Sequence, residues 1–152
     1  MKYWLMKTEP GAYSWDDFKK EDDQTTYWDG IRNYQARNFM KEMKVDDRVF
    51  FYHSQVVPPA IMGVAKVVRE AYPDHTQFDQ SSNYFDPKSS PENPRWHMVD
   101  ISCEWEFKTP VTLPELRQTP GLENMVLLNN SRLSVQPVTE AEWNIIISLR
   151  KK

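Results

Sequence analysis

Cysteine is almost absent from this 152-residue chain. Cys103 is the only one, so no disulfide can form within the chain and a disulfide-stapled scaffold is excluded. Glycine is scarce too. Its four residues form no phosphate-cradling loop, no dinucleotide fingerprint and no G-x-S-x-G nucleophile elbow. The histidines His53, His75 and His97 are scattered, and none has a second ligand at a metal-binding spacing. Neither a metal nor a cofactor is expected. No apolar run approaches the roughly 20 residues needed to span a bilayer. The start MKYWLMKTEP sets Lys7 close behind Lys2, which leaves no signal-peptide apolar stretch. A cytoplasmic location without membrane association is the expectation. A basic excess is missing as well: 19 Lys and Arg face 22 Asp and Glu, for a net charge of −3. Binding to nucleic acid by charge alone scales with the phosphates neutralised, so any such role needs a local basic patch and a pocket.

Aromatic residues are plentiful, at 13% with six tryptophans, and most of these rings should simply be core. The length suits one domain over residues 1–152, with about two-thirds of the unfolded chain's surface buried on folding. No repeat or linker divides it. Residues 2–7, 48–54, 60–71 and 97–107 read as strands. The run at 60–71 is apolar at nearly every position and should be central. In 97–107, Val99, Ile101, Cys103, Trp105 and Phe107 alternate with polar residues, which predicts one core-facing row including Cys103. Helix starts are marked by Ser14 with Asp17, Thr112 with Glu115 and Thr139 with Glu142, at capping-box spacing. Trp143, Ile146 and Ile147 share one helical stripe, and Ala36, Phe39, Met40 and Met43 another. Residues 73–95, rich in Pro, Ser, Asn and Asp, read as one long surface loop and a candidate lid or rim. The mixed order of elements indicates an α+β fold with short helices on a partly closed, barrel-like sheet.

Catalytic chemistry finds little support. His53 and Ser54 are neighbours, but successive strand residues point to opposite faces. Cys103 reads as a small core hydrophobe rather than a nucleophile. The segment WDGIRNYQARNFMKEMKVDDR from Trp28 to Arg48 is more informative, because bases and aromatics interleave there in an otherwise acidic chain. It reads either as a solvated helix face capped by Asn33 or as a base-recognition site. In the second case Trp28 would stack, Asn33 would meet a base edge, and Arg32, Arg37 and Lys41 would contact phosphate.

Several stretches together resemble the EVE domain family: YWLMKTEP at 3–10, YSWDD at 13–17, WDGIRNYQARN at 28–38, VFFYHS at 49–54, PVTLPELR at 110–117 and RLSVQPVTEAEW at 132–143. The shorter pieces AYPD, DPKS and PRW fall between them in the family's order. The resemblance implies a PUA-like twisted β-barrel with flanking short helices, similar to YTH and ASCH domains. It also implies a binding module, not an enzyme, whose pocket recognises a modified nucleobase, with modified cytosine foremost. The implied partner is DNA or RNA carrying that base, acting beside a separate nuclease or RNA-processing protein. Carried over by motif, Lys7, Thr8, Glu9 and Pro10 form one wall, and Trp28 with Asn33 another. Tyr52, His53 and Ser54 form a third, while Arg132, Leu133 and Ser134 close the mouth. A general PUA-type RNA-binding domain and a small-molecule or nucleoside pocket are the alternatives. Two stretches depart from the family pattern. Asp46-Asp47 stands where many members have a glycine, and Asn129-Asn130-Ser131 replaces a basic or glycine-containing stretch, which weakens phosphate contacts there.

Overall fold

The computed structural model describes residues 1–130 and 132–150; Ser131 lies outside them. Six strands form one mixed sheet: β1 (Tyr3–Thr8), β2 (Thr25–Tyr27), β3 (Arg48–His53), β4 (Ala60–Pro73), β5 (His97–Thr112) and β6 (Val135–Val138). Their order is β2-β5-β4-β3-β1-β6, with β1 parallel to β3 and every other pair antiparallel. The helices are α1 (Trp15–Lys19), α2 (Tyr34–Glu42), α3 (Leu113–Arg117), α4 (Val126–Asn129) and α5 (Glu140–Ser148). The α+β class and the central place of β4 agree with the sequence. The expected barrel does not close, because among the described residues no ladder joins the edge strands β2 and β6. As an edge strand, β6 tolerates Pro137, which has no N–H to offer a ladder.

The three predicted caps form. Ser14 and Thr139 complete reciprocal capping boxes with Asp17 and Glu142. Thr112 accepts from Glu115 N, but the Glu115 carboxylate turns instead to Arg150, tying α3 to the end of α5.

The sheet buries both faces against different cores. Trp4, Met6, Val49, Phe51, Ala65, Val67, Val99 and Ile101 lie on one side with Trp15, Phe18, Trp28 and Met40. Leu5, Phe50, Tyr52, Ile61, Val64 and Phe107 lie on the other with Leu116, Trp143 and Ile146. There α5 docks by stacking Trp143 on Phe50, at 3.8 Å between ring centroids. Single-residue alternation along β1 and β3 thus serves two cores at once.

One expectation fails on β5. The row from Val99 to Phe107 does not share a face, because the register shifts where Val64 pairs with Trp105 and Ala65 with Cys103. Glu104 is the extra residue of this bulge, and it rotates the strand. Val99, Ile101 and the half-buried Cys103 stay on the tryptophan side, whereas Phe107 turns to the α5 side, with the Trp105 ring beside it at 4.9 Å between centroids. Trp105 remains 40% exposed. The same rotation brings Glu106 to the tryptophan side, where its carboxylate accepts from Trp15 Nε1 and Lys19 Nζ, both at 2.9 Å.

Gly63 sits under this junction. A β-carbon there would lie 2.5 Å from the Trp15 ring and 2.6 Å from the Trp105 carbonyl oxygen. Neither neighbour can yield, since one is a buried indole and the other is backbone. Gly63→Ala is expected to destabilise the fold by about 1–3 kcal/mol through overpacking, read as a lower denaturant midpoint at unchanged slope.

Candidate functional site

The site begins where β1 ends. Thr8 Oγ1 donates to the Tyr13 carbonyl at 2.9 Å, and the amides of Ala12 and Tyr13 both donate to the Glu9 carbonyl. This turn swings the Tyr13 ring over the tryptophan-side core, edge-on to Trp28 at 6.2 Å. Burial, reinforced by the neighbouring Glu21 carboxylate, raises the Tyr13 phenol well above its ordinary value. Its hydroxyl therefore stays protonated and donates to Glu21 Oε2 at 2.8 Å. Across from it, Trp28 N donates to the Val99 carbonyl at 2.8 Å and prolongs the β2–β5 ladder. The chain then turns at Gly30, with φ of 82°.

Between these elements lies a cavity of about 950 Å³, near the top of the usual range for small-molecule sites. Lys7, Thr8, Glu9, Ala12 and Tyr13 line one side, residues 20–22 and 25–31 line the other, and Tyr84 and Asp100 complete it. Aromatic faces are available, as Tyr27 is 48% and Tyr84 42% exposed. The wall carries five carboxylates, Glu9, Glu21, Asp22, Asp29 and Asp100, against the ammonium groups of Lys7 and Lys20. Burial pushes Lys7 below its ordinary value and Asp29 above its own, the latter helped by the charge of Asp74.

Asp74 holds the outer wall together. It is fully buried, yet each oxygen accepts two hydrogen bonds: Oδ1 from Thr76 N and Oγ1, Oδ2 from Gly30 N at 2.8 Å and Arg32 Nη1 at 3.1 Å. Burial alone would raise this carboxyl, but the four donors hold it below the usual carboxylate range. Arg32 spends all five N–H groups within the protein, on Asp74, Thr76, the Ile31 carbonyl and, twice, the Tyr84 carbonyl. Tyr84 is thereby pinned over Gly30, where a β-carbon would meet its ring at 2.6 Å.

Residues 73–95 are accordingly not one free surface loop. A 3₁₀ turn spans His75–Phe78, Gln77 is fully buried, and its amide joins the carbonyls of Asp74 and Trp96. The segment still supplies a rim, through Tyr84.

The predicted site residues separate into groups. Lys7, Thr8, Glu9 and Trp28 line the cavity; Pro10, Asn33, Tyr52, His53, Ser54, Arg132, Leu133 and Ser134 do not. Tyr52 faces the α5 side, where burial pushes its phenol up to about 12. Leu133 is core, Arg132 is exposed, and the Ser134 carbonyl accepts from Lys7 N at 2.9 Å. Asn33 caps α2, its Oδ1 accepting from Ala36 N at 2.9 Å. The Ser54 amide donates to the Thr8 carbonyl at 2.9 Å, bracing the β1 end. With every N–H committed, Arg32 is a strut and not a phosphate contact. Arg37 spends three N–H groups on Asn38 and the Arg95 carbonyl, and Lys41 is exposed. Trp28 is only 7% exposed and packs edge-on to Phe51, so it serves the core as much as the cavity. Tyr13, Tyr27, Asp29 and Tyr84 were missed as site residues. Tyr84 lies in the rim segment 73–95, Asp29 in the WDGIRN stretch and Tyr13 at the start of YSWDD, whereas nothing in the sequence marks Tyr27.

An open sheet with short helices, carrying an aromatic, acid-lined cavity on one face, defines a small domain of the PUA-like class. The chain belongs to the EVE domain family, whose model matches residues 2–149. It is 44% identical over 167 aligned positions to human thymocyte nuclear protein 1, covering 99% of this chain and 74% of that protein. Its structure is similar to human THYN1 protein in complex with DNA containing 5-methylcytosine, with a TM-score of 0.94, 43% identity, and 100% and 99% of the two chains covered. A hypothetical protein from Leishmania major matches at TM-score 0.93 and 45% identity, covering 99% and 94%.

Two outcomes follow from the site's construction. Asp74→Asn sets amide hydrogens against donors in a buried place, and it should cost about 3 kcal/mol of unfolding free energy; Lys41→Ala should change stability by less than about 0.5 kcal/mol. His53 Nε2 accepts from Trp15 N at 2.9 Å, and burial lowers its pKa. Because the unfolded chain takes up that proton more readily, the His53 contribution is full above about pH 6.5 and is lost as pH falls below it. Denaturant titrations at pH 7.5 and 5.5 should show a loss in the native chain that shrinks in His53→Gln.

Proposed function

We propose that this chain is a non-catalytic reader that takes a modified cytosine base of DNA into the cavity between β1, β2 and Tyr84. The observation that carries this reading is the full-length structural match to a protein bound to 5-methylcytosine DNA, joined to a cavity of suitable size in this chain. A binding role is supported by the state of the best catalytic candidates. The Nε2 of His53 is occupied by the Trp15 amide, and burial raises the Cys103 thiol, which disfavours the nucleophilic thiolate.

Magnitudes set the affinity. Burying one methyl group contributes about 0.8 kcal/mol, roughly fourfold. Stacking on an aromatic ring contributes about 1–3 kcal/mol without regard to sequence, and Tyr27 and Tyr84 are the exposed rings on the wall. Drawing a base out of a duplex costs a few kcal/mol. Phosphate contacts are left to Arg37 and Lys41, so the isolated domain binds in the micromolar range or more weakly.

Fluorescence titration of duplexes bearing one central 5-methylcytosine or cytosine tests the reading. The modified duplex should bind about two- to fivefold more tightly, with a log–log salt slope near −2 for two phosphate contacts. Tyr84→Ala should weaken both complexes by about tenfold. Equal affinity for the two duplexes together with a steep salt slope would instead indicate general backbone binding.

A further inference from the structure

A methyl group cannot by itself identify 5-methylcytosine. Thymine carries a methyl at the same ring position, and the two bases differ at C4, where cytosine offers an amino donor and thymine a carbonyl acceptor. A cavity that sensed only ring shape and methyl would be filled by thymine, which is far more abundant in DNA. The wall therefore needs an acceptor that cytosine satisfies and thymine does not.

Most of the cavity's carboxylates are committed or peripheral. Glu21 accepts from the Tyr13 hydroxyl and Asp100 from the Tyr72 hydroxyl, while Glu9 and Asp22 are exposed at the rim. Asp29 differs. It is half-buried on the wall directly after Trp28, and among the described residues its carboxylate has no hydrogen-bond partner beyond its own backbone amide. The next amide, Gly30 N, is anchored on Asp74 Oδ2, so the backbone that carries Asp29 is fixed.

We propose that Asp29 is the specificity-determining residue of the cavity, its carboxylate accepting the exocyclic amino hydrogen of a cytosine-type base and repelling the O4 of thymine. The proposal rests on the modified-base reading of the site. Burial and the nearby Asp74 already hold the Asp29 carboxyl above its ordinary range, the condition of a desolvated acceptor that gains when a donor arrives. A carboxylate facing a carbonyl oxygen gains nothing and loses its water.

The test uses duplexes with one central base opposite an abasic position, so that extrusion costs the same for each. The native chain should bind 5-methylcytosine about tenfold or more tightly than thymine. In Asp29→Asn the amide can turn its oxygen to an amino group or its nitrogen to a carbonyl, so the ratio should fall below about threefold while the melting temperature holds. Asp29→Ala provides a second reading, with 5-methylcytosine weakened about tenfold and thymine little changed. Retention of the native 5-methylcytosine-to-thymine ratio in both variants would overturn the proposal, as would a native chain that does not separate cytosine-type bases from thymine. A native chain that prefers both cytosines over thymine equally would remove the modified-base reading and leave Asp29 as the cytosine discriminator.

Discussion

The candidate site depends on a buried carboxylate with every lone-pair direction used. Removing Asp74 from water carries a penalty of several kcal/mol, and four donors offset it: two from Thr76, one from Gly30 and one from Arg32. Those donors come from segments more than 40 residues apart in the chain, so the carboxylate fixes their relative placement. Through Arg32 it also fixes Tyr84, whose carbonyl accepts two guanidinium N–H groups and whose ring lies 5.4 Å from the guanidinium carbon. Gln77 repeats the device nearby, with its side-chain oxygen accepting from Ser89, Arg95 and Trp96. A polar segment that composition marks as irregular is thus held as a strut, because its buried polar groups are matched.

The double-faced sheet explains why the cavity lies where it does. The α5 side is closed by Trp143, Phe50 and aliphatic residues with little polar chemistry. The tryptophan side is covered by α2, through Ala36 and Met40, and next to the cavity by shorter segments: the α1 turn, the three-residue β2 and the Trp28–Arg32 stretch. Where those shorter segments meet they cover the sheet less fully than α2 does, and the cavity lies there. The β5 bulge contributes to this, because it turns Glu106 toward Trp15 and Lys19 and so ties α1 to the sheet.

Local patterns in the sequence survived where they were decided locally. The caps at Ser14, Asn33 and Thr139 need only nearby residues, and all three form. The apolar run of β4 lies at the sheet centre as its composition demands. Patterns that depend on distant partners did not transfer. The alternation of β5 is regular in sequence, but register against β4 decides which face each residue meets, and a bulge leaves no mark in the alternation itself. Arg32 looked like a phosphate ligand because charge and neighbouring aromatics are visible in sequence, whereas the Asp74 and Tyr84 groups that consume its donors lie 42 and 52 positions away. Of the positions carried over from family motifs, Lys7, Thr8, Glu9 and Trp28 line the cavity. The motifs did not separate residues that face the cavity from those, such as Tyr52 and Leu133, that share a motif and face the core.

An acid-lined cavity in a chain of net charge −3 runs against the usual expectation for a DNA-binding surface, and the two facts fit together only if attraction and recognition are divided. Within a Debye length of about 8 Å at physiological salt, the rim carboxylates of Glu9 and Asp22 repel phosphate oxygens. A backbone therefore gains nothing by approaching the mouth, whereas an extruded base arrives neutral and brings amino hydrogens. On the proposed reading this acidity filters for the edge of a base over the backbone that carries it, at the expense of affinity. Tight binding would then have to come from outside the domain, through a partner or a basic extension, and selectivity for the base would stay with the cavity.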